Sequence, residues 1–570
     1  MKLDKPDHKT ITFYRAICEV LVKTIPPKSH SQHLEDIVLL LMDGLLKGKL
    51  YIKFDKDIQS SIEPKASGWP ETHRKVLLES KWLESESSPV TLEGNQLSWR
   101  RWYSEMNHTI QDLINRYQNN SKKEKNSQQI PSNENLNAEQ ISAINAIIKH
   151  NIVLLSGGPG TGKTSTIIQM IIEVLKVSRH TKIGLSAPTG KATRRLLEAL
   201  QQSSKSLDTI HKEKLSQIKC RTLHSWLEAR PGGFGKNKRS PINLDLLVID
   251  EMSMVDLALM QALLNAVPQN TKLILVGDPN QLPPIGSGAI WEELQKESIC
   301  RQFGNGAIHL SKVYRNRGDI ASLAKVIQQK GLECFWKNLS QLTKSSNVEL
   351  SISSSDSIPS NALTCIKEQK AKLIHLVQLF NAEISKEINF SYTPQCPSNQ
   401  ITERLFSCLE NLMILSPKKQ GRWSVNHIHQ VLLGKNLEEG IMQWPEGTPV
   451  ICLKNQPELG LSNGDIGIII GYKESRRLLF RIFSDDQKLL SRLIHPARLE
   501  KVDPAFALTI HKAQGSEANK VILLWPSSVE EISKSTSTKK VQPLGNINEK
   551  LIYTAITRAK ENLVLNIINA

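Results

Sequence analysis

The sequence has no closely spaced cysteine pair. Its eight cysteines stand at positions 18, 220, 300, 334, 365, 396, 408 and 452, and no two of them form a CxxC unit. A zinc ribbon and a dithiol redox motif are thereby excluded, and the scatter suits a reducing compartment. Long apolar runs are also missing. The stretch from Ile37 to Leu46 is interrupted by Asp43 and Gly44, too short and too polar to span a bilayer. The opening residues, MKLDKPDHKTITF, lack the apolar core of a signal peptide, so a cytoplasmic location is expected. No internal repeat of short period is visible, and no spaced Asp…Glu-x-Lys set points to nuclease chemistry.

What is present is a long, basic, globular chain. Its 570 residues are 39% hydrophobic and 23% charged, a balance that argues against wholesale disorder. That length corresponds to about four domains. Lys and Arg total 73 against 56 Asp and Glu, a formal net charge of +17. A surplus of this size favours a polyanionic partner, nucleic acid before a membrane surface.

Composition divides the chain. Residues 1–117 read as mostly helical, with amphipathic spacing over Phe13–Lys23 and His33–Leu46. This part closes on the aromatic-basic cluster Trp99-Arg100-Arg101-Trp102-Tyr103, which suits either stacking on bases or a buried helix start with snorkelling arginines. Residues 118–135, QNNSKKEKNSQQIPSNEN, have the composition of a solvated linker. From 136 to 318, short β-rich runs at 152–156, 183–187, 246–250 and 273–277 alternate with helical patterns, which predicts a parallel sheet covered by helices. A turn-rich basic insertion at 228–243 predicts a short hairpin or loop. The Ser-rich stretch 339–360 reads as a surface insertion or a poorly ordered loop. Residues 319–446 and 501–570 read as a second α/β domain, and the short strands separated by Gly-Asn-Asp turns at 447–500 as a small inserted β-barrel.

The strongest chemical signal is GGPGTGKT, Gly157, Gly158, Pro159, Gly160, Thr161, Gly162, Lys163 and Thr164. It lies between an apolar strand and a helical run, the context that makes this spacing a P-loop. Its backbone N–H groups can converge on phosphate oxygens. Lys163 would neutralise the β- and γ-phosphates of ATP, and Thr164 would hold Mg2+. The buried strand before Asp250 and Glu251 delivers two carboxylates to the same sheet edge. Asp250 is expected to hold Mg2+ and Glu251 to polarise the attacking water. A further strand ends in GDPNQLPP, where the amide of Gln281 can bond both γ-phosphate and water. Arg315 and Arg558 are candidate arginine fingers, because a planar guanidinium suits the spread charge of a transferring phosphoryl group.

Taken together, these motifs resemble the superfamily-one helicases, and among them the RecD family, the α subunits of exodeoxyribonuclease V (RecBCD) complexes. The likeness also rests on LNAEQ ending at Gln140, APTGKATR at 187–194, TLHS at 222–225, DEMSMVD at 250–256, LGLSNGDIG at 459–467, TIHKAQGSE at 509–517 and TAITRAK at 554–560. KKQGRWSV at 418–425 follows the family pattern only loosely.

The resemblance implies two RecA-like P-loop domains, an SH3-like β-barrel insertion at 447–500, and a helical N-terminal domain that docks on RecC. It implies adenine reading by Gln140 and nucleotide contacts from Gly515 and Glu517. It implies single-stranded DNA contacts from Pro188, Thr189, Lys191, Thr222, His224, Thr509 and His511. It further implies ATP-dependent 5′→3′ movement on DNA at double-strand ends in recombinational repair, with RecB and RecC as partners and the nuclease in RecB. A larger N-terminal extension with helix-hairpin-helix elements, as in free-standing family members, is not legible. Two alternatives stay open: a free-standing helicase of the same kind, and a nucleotide-dependent switch or scaffold that does not move on DNA.

Overall fold

The computed structural model describes residues 8–27, 32–55, 62–84, 87–120, 136–204, 209–314, 318–342, 347–387, 395–396, 400–471, 476–483, 489–526 and 547–568. Two parallel sheets organise it. The first has the strand order Ala307–Leu310, Ile152–Gly157, Lys272–Gly277, Leu246–Ile249, Ile183–Ala187, Lys219–Thr222, with every pairing parallel. Its central strands are apolar and wholly buried, as a sheet covered on both faces requires. Two apolar clusters lie on the two faces, one built on Ile167, Ile171 and Leu196, the other on Met260, Leu263 and Trp291.

The second sheet runs Val348–Ser353, Ala559–Ile568, Ala518–Trp525, Leu412–Ser416, Leu508–Thr509, again all parallel. Here the sequence expectation needs correction. The 339–360 stretch is not simply a surface insertion, because Val348–Ser353 pairs along its whole length with Leu563–Ile568 as the edge strand. Its Ser-rich outer positions mask it, since an edge strand buries only part of its surface. A long helix, Ser360–Glu387, follows.

An antiparallel sheet is attached to this second lobe, in the order Gln395–Cys396, Leu489–Ile494, Arg477–Phe483, Ile466–Ile470, Pro449–Cys452, Val502–Pro504. It draws strands from both sides of the 447–500 span expected for the insertion.

The N-terminal part is not only helical. Helices His8–Thr24 and Gln32–Leu46 pack on a three-stranded antiparallel sheet of Tyr51–Lys53, Gln96–Trp99 and Val90–Glu93. The aromatic-basic cluster has a structural role. Trp99 is buried in this core, and Arg100 donates to the Ser88 and Val90 carbonyls. The helix Arg100–Asn120 then leaves this unit and joins the first lobe. Its Met106, Ile110, Leu113 and Ile114 enter that lobe's core. Arg116, almost fully buried, donates to the carbonyls of Leu264, Val267 and Pro268. It thereby satisfies carbonyls that the end of helix Leu257–Ala266 leaves open. Residues 118–120 of the expected linker belong to this helix, and 121–135 lie outside the described residues.

Candidate nucleotide site between two lobes

The P-loop connects the buried strand Ile152–Gly157 to the helix Lys163–Val177. Gly160 and Gly162 take positive φ values of 72° and 85°, a turn that side chains bearing a Cβ resist. A Cβ on Gly157 would lie 3.0 Å from the Leu310 carbonyl oxygen. Lys163 Nζ donates to the carbonyls of its own loop, 2.7 Å to Gly157 O and 2.9 Å to Gly158 O.

Asp250 and Glu251 leave the end of strand Leu246–Ile249 beside this loop. Glu251 sits in the left-handed region (φ 56°, ψ 44°), a conformation that costs free energy for a residue other than glycine. Its N–H donates to Asp250 Oδ1 at 2.8 Å. Burial first, then neighbouring Asp250, raise the Glu251 carboxyl to about 7 against the opposing charges of Arg558 and Lys163. Burial also raises Asp250, opposed by Lys163 and by the Glu251 N–H. Two desolvated carboxylates beside a lysine make a site that gains from a bound cation.

Arg558 comes from the other lobe. It is 3% exposed, with Nε donating to Thr554 O (3.0 Å) and Nη1 to Ser516 O (3.3 Å). Its charge opposes the rise of the Glu251 carboxyl from across the lobe contact. Arg315, the other finger candidate, lies outside the described residues.

Gln281 is buried. Its Nε2 donates to Asp278 Oδ2 at 3.3 Å, and its Oε1 is buried without a partner. Gln140 is held inside the protein. Its Oε1 accepts from the Asn137 N–H in a capping box, and its Nε2 donates to Thr166 Oγ1. Tyr314, which sequence reasoning did not single out, stands next to it. The Tyr314 hydroxyl accepts from Asn137 Nδ2 at 2.9 Å, and the Tyr314 backbone N–H donates to Gly160 O at 2.8 Å. A Cβ on Gly162 would lie 3.6 Å from the Tyr314 ring. The exposed ring flanks the P-loop.

The residues assigned to DNA fall into two groups. Thr189, Lys191 and their neighbours line the contact between lobes. Gly515 approaches Thr189 and Ala192, and Arg195 donates to Glu517 O at 3.2 Å. Gly190 packs so closely on Ser462 that a Cβ would come within 2.4 Å of that side chain. Burial and neighbouring Arg195 lower Lys191 to about 8. Pro188 opens this same segment, and Glu517 also faces Lys560 at 3.9 Å. The second group is more open. Thr222 Oγ1 accepts from Ser225 N at 3.2 Å, and exposed His224 faces Phe234 with ring centroids 6.3 Å apart. Phe234 belongs to the predicted hairpin, strands Ala229–Arg230 and Gly233–Phe234. Thr509 Oγ1 accepts from Lys512 N, and burial lowers the His511 imidazole below its ordinary range.

A family model described as an AAA domain matches residues 140–287. The RecBCD enzyme subunit RecD of Buchnera aphidicola is 29% identical over 84% of this chain and 80% of its own length. The ATP-dependent RecD2 DNA helicase of Deinococcus radiodurans is 26% identical over 75% of this chain and 48% of its own length. A crystal structure of Bacteroides Pif1 bound to ssDNA covers 75% of this chain and 92% of that one, at 17% identity and a TM-score of 0.40. No helix among the described residues is long and apolar enough to cross a membrane. Over most of its length, therefore, the chain is similar in sequence to the RecD subunits of RecBCD enzymes.

Proposed function

We propose that this chain is an ATP-dependent DNA helicase subunit of the RecBCD type, acting with RecB- and RecC-like partners on double-strand DNA ends. The observation that carries the reading is the composite pocket. Lys163, Asp250 and Glu251 stand on one lobe, and Arg558 enters from the other. A pocket shared by two lobes converts the loss of a γ-phosphate into relative movement of those lobes.

Residues 136–318 form the first RecA-like lobe in this account, and 319–446 with 501–570 the second. The antiparallel unit is the SH3-like insertion, and residues 1–117 dock on the RecC-like partner. Lys163 binds the phosphates, Glu251 in its ionised form accepts the proton of the attacking water, and Gln281 orients that water. Arg558, joined by Arg315, meets the charge that develops on the transferring phosphoryl group. The pair Thr164 and Asp250 would hold Mg2+, which would supply charge neutralisation when bound. Tyr314 and Gln140 flank the base. Single-stranded DNA runs over Pro188, Thr189, Lys191, Thr222, His224, Thr509 and His511, with backbone contacts that are indifferent to sequence. Gly515 and Glu517 serve the nucleotide through the lobe contact in which they lie. The location is cytoplasmic.

Strand separation on 5′-tailed and 3′-tailed duplexes, with and without RecB- and RecC-like partners, tests the proposal. Unwinding of the 5′-tailed duplex alone is expected. Unwinding only from 3′ tails contradicts the assigned direction. Recovery of the chain only as a monomer from cells that contain both partners supports the free-standing alternative instead.

A further inference from the structure

We infer that Tyr553 is a positioning residue of the ATPase, acting through Asp278 to set the orientation of Gln281. The inference rests on the ATPase reading above and adds to it a residue outside the motif arginine. Tyr553 lies in helix Ile547–Ile556 of the second lobe, five positions before Arg558, with its side chain fully buried. Its hydroxyl donates to Asp278 Oδ2 on the first lobe at 3.0 Å and accepts from Gln328 Nε2 at 2.8 Å. Gln328 comes from helix Asp319–Leu342. This hydroxyl also backs the P-loop, since a Cβ on Gly158 would lie 3.3 Å from it.

The consequence follows from donor and acceptor types. Asp278 is completely buried, and its Oδ2 receives two donors, the Tyr553 hydroxyl and Gln281 Nε2. Its Oδ1 accepts from the Asn280 N–H at 3.0 Å. A carboxylate fixed in this way accepts only the NH2 end of the Gln281 amide, so the other end must be the oxygen. That oxygen, Oε1, is the buried acceptor with no partner. It is therefore held ready for a donor, which an attacking water supplies. Burial and the adjacent carboxylate raise Tyr553 well above its ordinary range, which keeps the hydroxyl protonated as a donor.

The second lobe grips the rest of the loop as well. Thr554 Oγ1 accepts from the Leu282 N–H at 3.2 Å, and Gln514 Nε2 donates to Leu282 O at 3.2 Å. Arg558 follows this helix by two residues and is tied back to it through Nε to Thr554 O, so the second lobe presents both the arginine and the hydroxyl that aligns Gln281. Lobe closure delivers the two together, so the finger does not arrive before the water is oriented.

The test is steady-state ATP hydrolysis by the full chain, with oligo(dT) as the DNA probe, for wild type, Tyr553→Phe, Gln281→Ala and the double variant. Loss of one positioning hydrogen bond is expected to lower the DNA-stimulated kcat of Tyr553→Phe about tenfold, with KM for ATP within about twofold. The double variant is expected to be no slower than Gln281→Ala alone, because the two residues act in series. A Tyr553→Phe kcat within about twofold of wild type overturns the inference, as do multiplicative losses in the double variant. Should Tyr553→Phe fail to fold, Gln328→Leu releases the hydroxyl from its other side. The same kcat-only loss supports the inference, and an undiminished rate overturns it. Absence of DNA stimulation in the wild type is a different result, and it counts against the parent reading.

Discussion

Arg194 Nη2 of the first lobe stands 3.1 Å from Asp465 Oδ1 in the antiparallel unit of the second, and the same nitrogen donates to Arg481 O at 2.8 Å. Both partners are largely buried. Burial raises the Asp465 carboxyl even though Arg194 and the Ser462 N–H oppose it. The lobes therefore meet through a desolvated ion pair, in the segment assigned to DNA.

Arg194→Met should leave Asp465 buried without its cation, and removal of one partner of such a pair costs about 3–5 kcal/mol. Because the bond crosses lobes, the loss should appear as opening. Small-angle scattering is expected to give a larger radius of gyration for the nucleotide-free variant than for the wild type. An unchanged radius and an unchanged unfolding midpoint contradict the latch.

Lys163→Gln removes the charge that rests on the Gly157 and Gly158 carbonyls. ATP turnover should fall to background while the circular-dichroism melting temperature stays within a few degrees of wild type, as about 4–8 °C per kcal/mol is the scale even for small domains. Retained turnover shows that the P-loop assignment is wrong.

Glu251, raised to about 7, is protonated and unable to accept a proton on the acid side of that value. The rate constant kcat/KM for ATP should fall roughly tenfold per pH unit below about 7 and level off above it. Glu251→Gln should be slower by about 10²–10⁴-fold throughout. A flat wild-type profile across this region removes Glu251 from the proton-accepting role. The same shift has a stability consequence of the opposite sense. A carboxyl with a raised folded-state value makes the protein less stable as pH rises from its unfolded value toward about 7.

His429 gives the reverse slope. It is buried in helix Val425–Leu433, and its Nε2 accepts from the Ala507 N–H at 3.3 Å; burial lowers it to about 4. The folded state then binds fewer protons than the unfolded chain, so stability falls as pH drops from about 6.5 toward 4. Between pH 7 and pH 5 this single group should cost roughly 2 kcal/mol. Urea unfolding of wild type and His429→Gln at both pH values checks it. An equal pH dependence in the two proteins contradicts the assignment.

The parts legible in the sequence share one physical property, which is local pattern. Strands such as Ile183–Ala187 and Leu412–Ser416 are short apolar runs buried on both faces, and they stand where composition placed them. The P-loop was legible because its glycines and lysine are contiguous. Val348–Ser353 was hidden because an edge strand exposes one face, and VELSIS carries serine there. The strands Tyr51–Lys53, Val90–Glu93 and Gln96–Trp99 are too short to show alternation among helical neighbours. Tyr553 and Arg194 were missed for another reason. Their partners Asp278 and Asp465 are 275 and 271 positions away in the chain, respectively. No window of sequence holds both ends of such a bond.

The most direct test of the composite pocket as a DNA motor is the rate of ATP hydrolysis with and without single-stranded DNA, in wild type and in Arg558→Ala. The account predicts strong stimulation of the wild type. It predicts an Arg558→Ala variant that still binds nucleotide but hydrolyses it about 10³-fold or more slowly, the scale of an arginine finger. Equal wild-type rates with and without DNA, or an undiminished rate in Arg558→Ala, would contradict it.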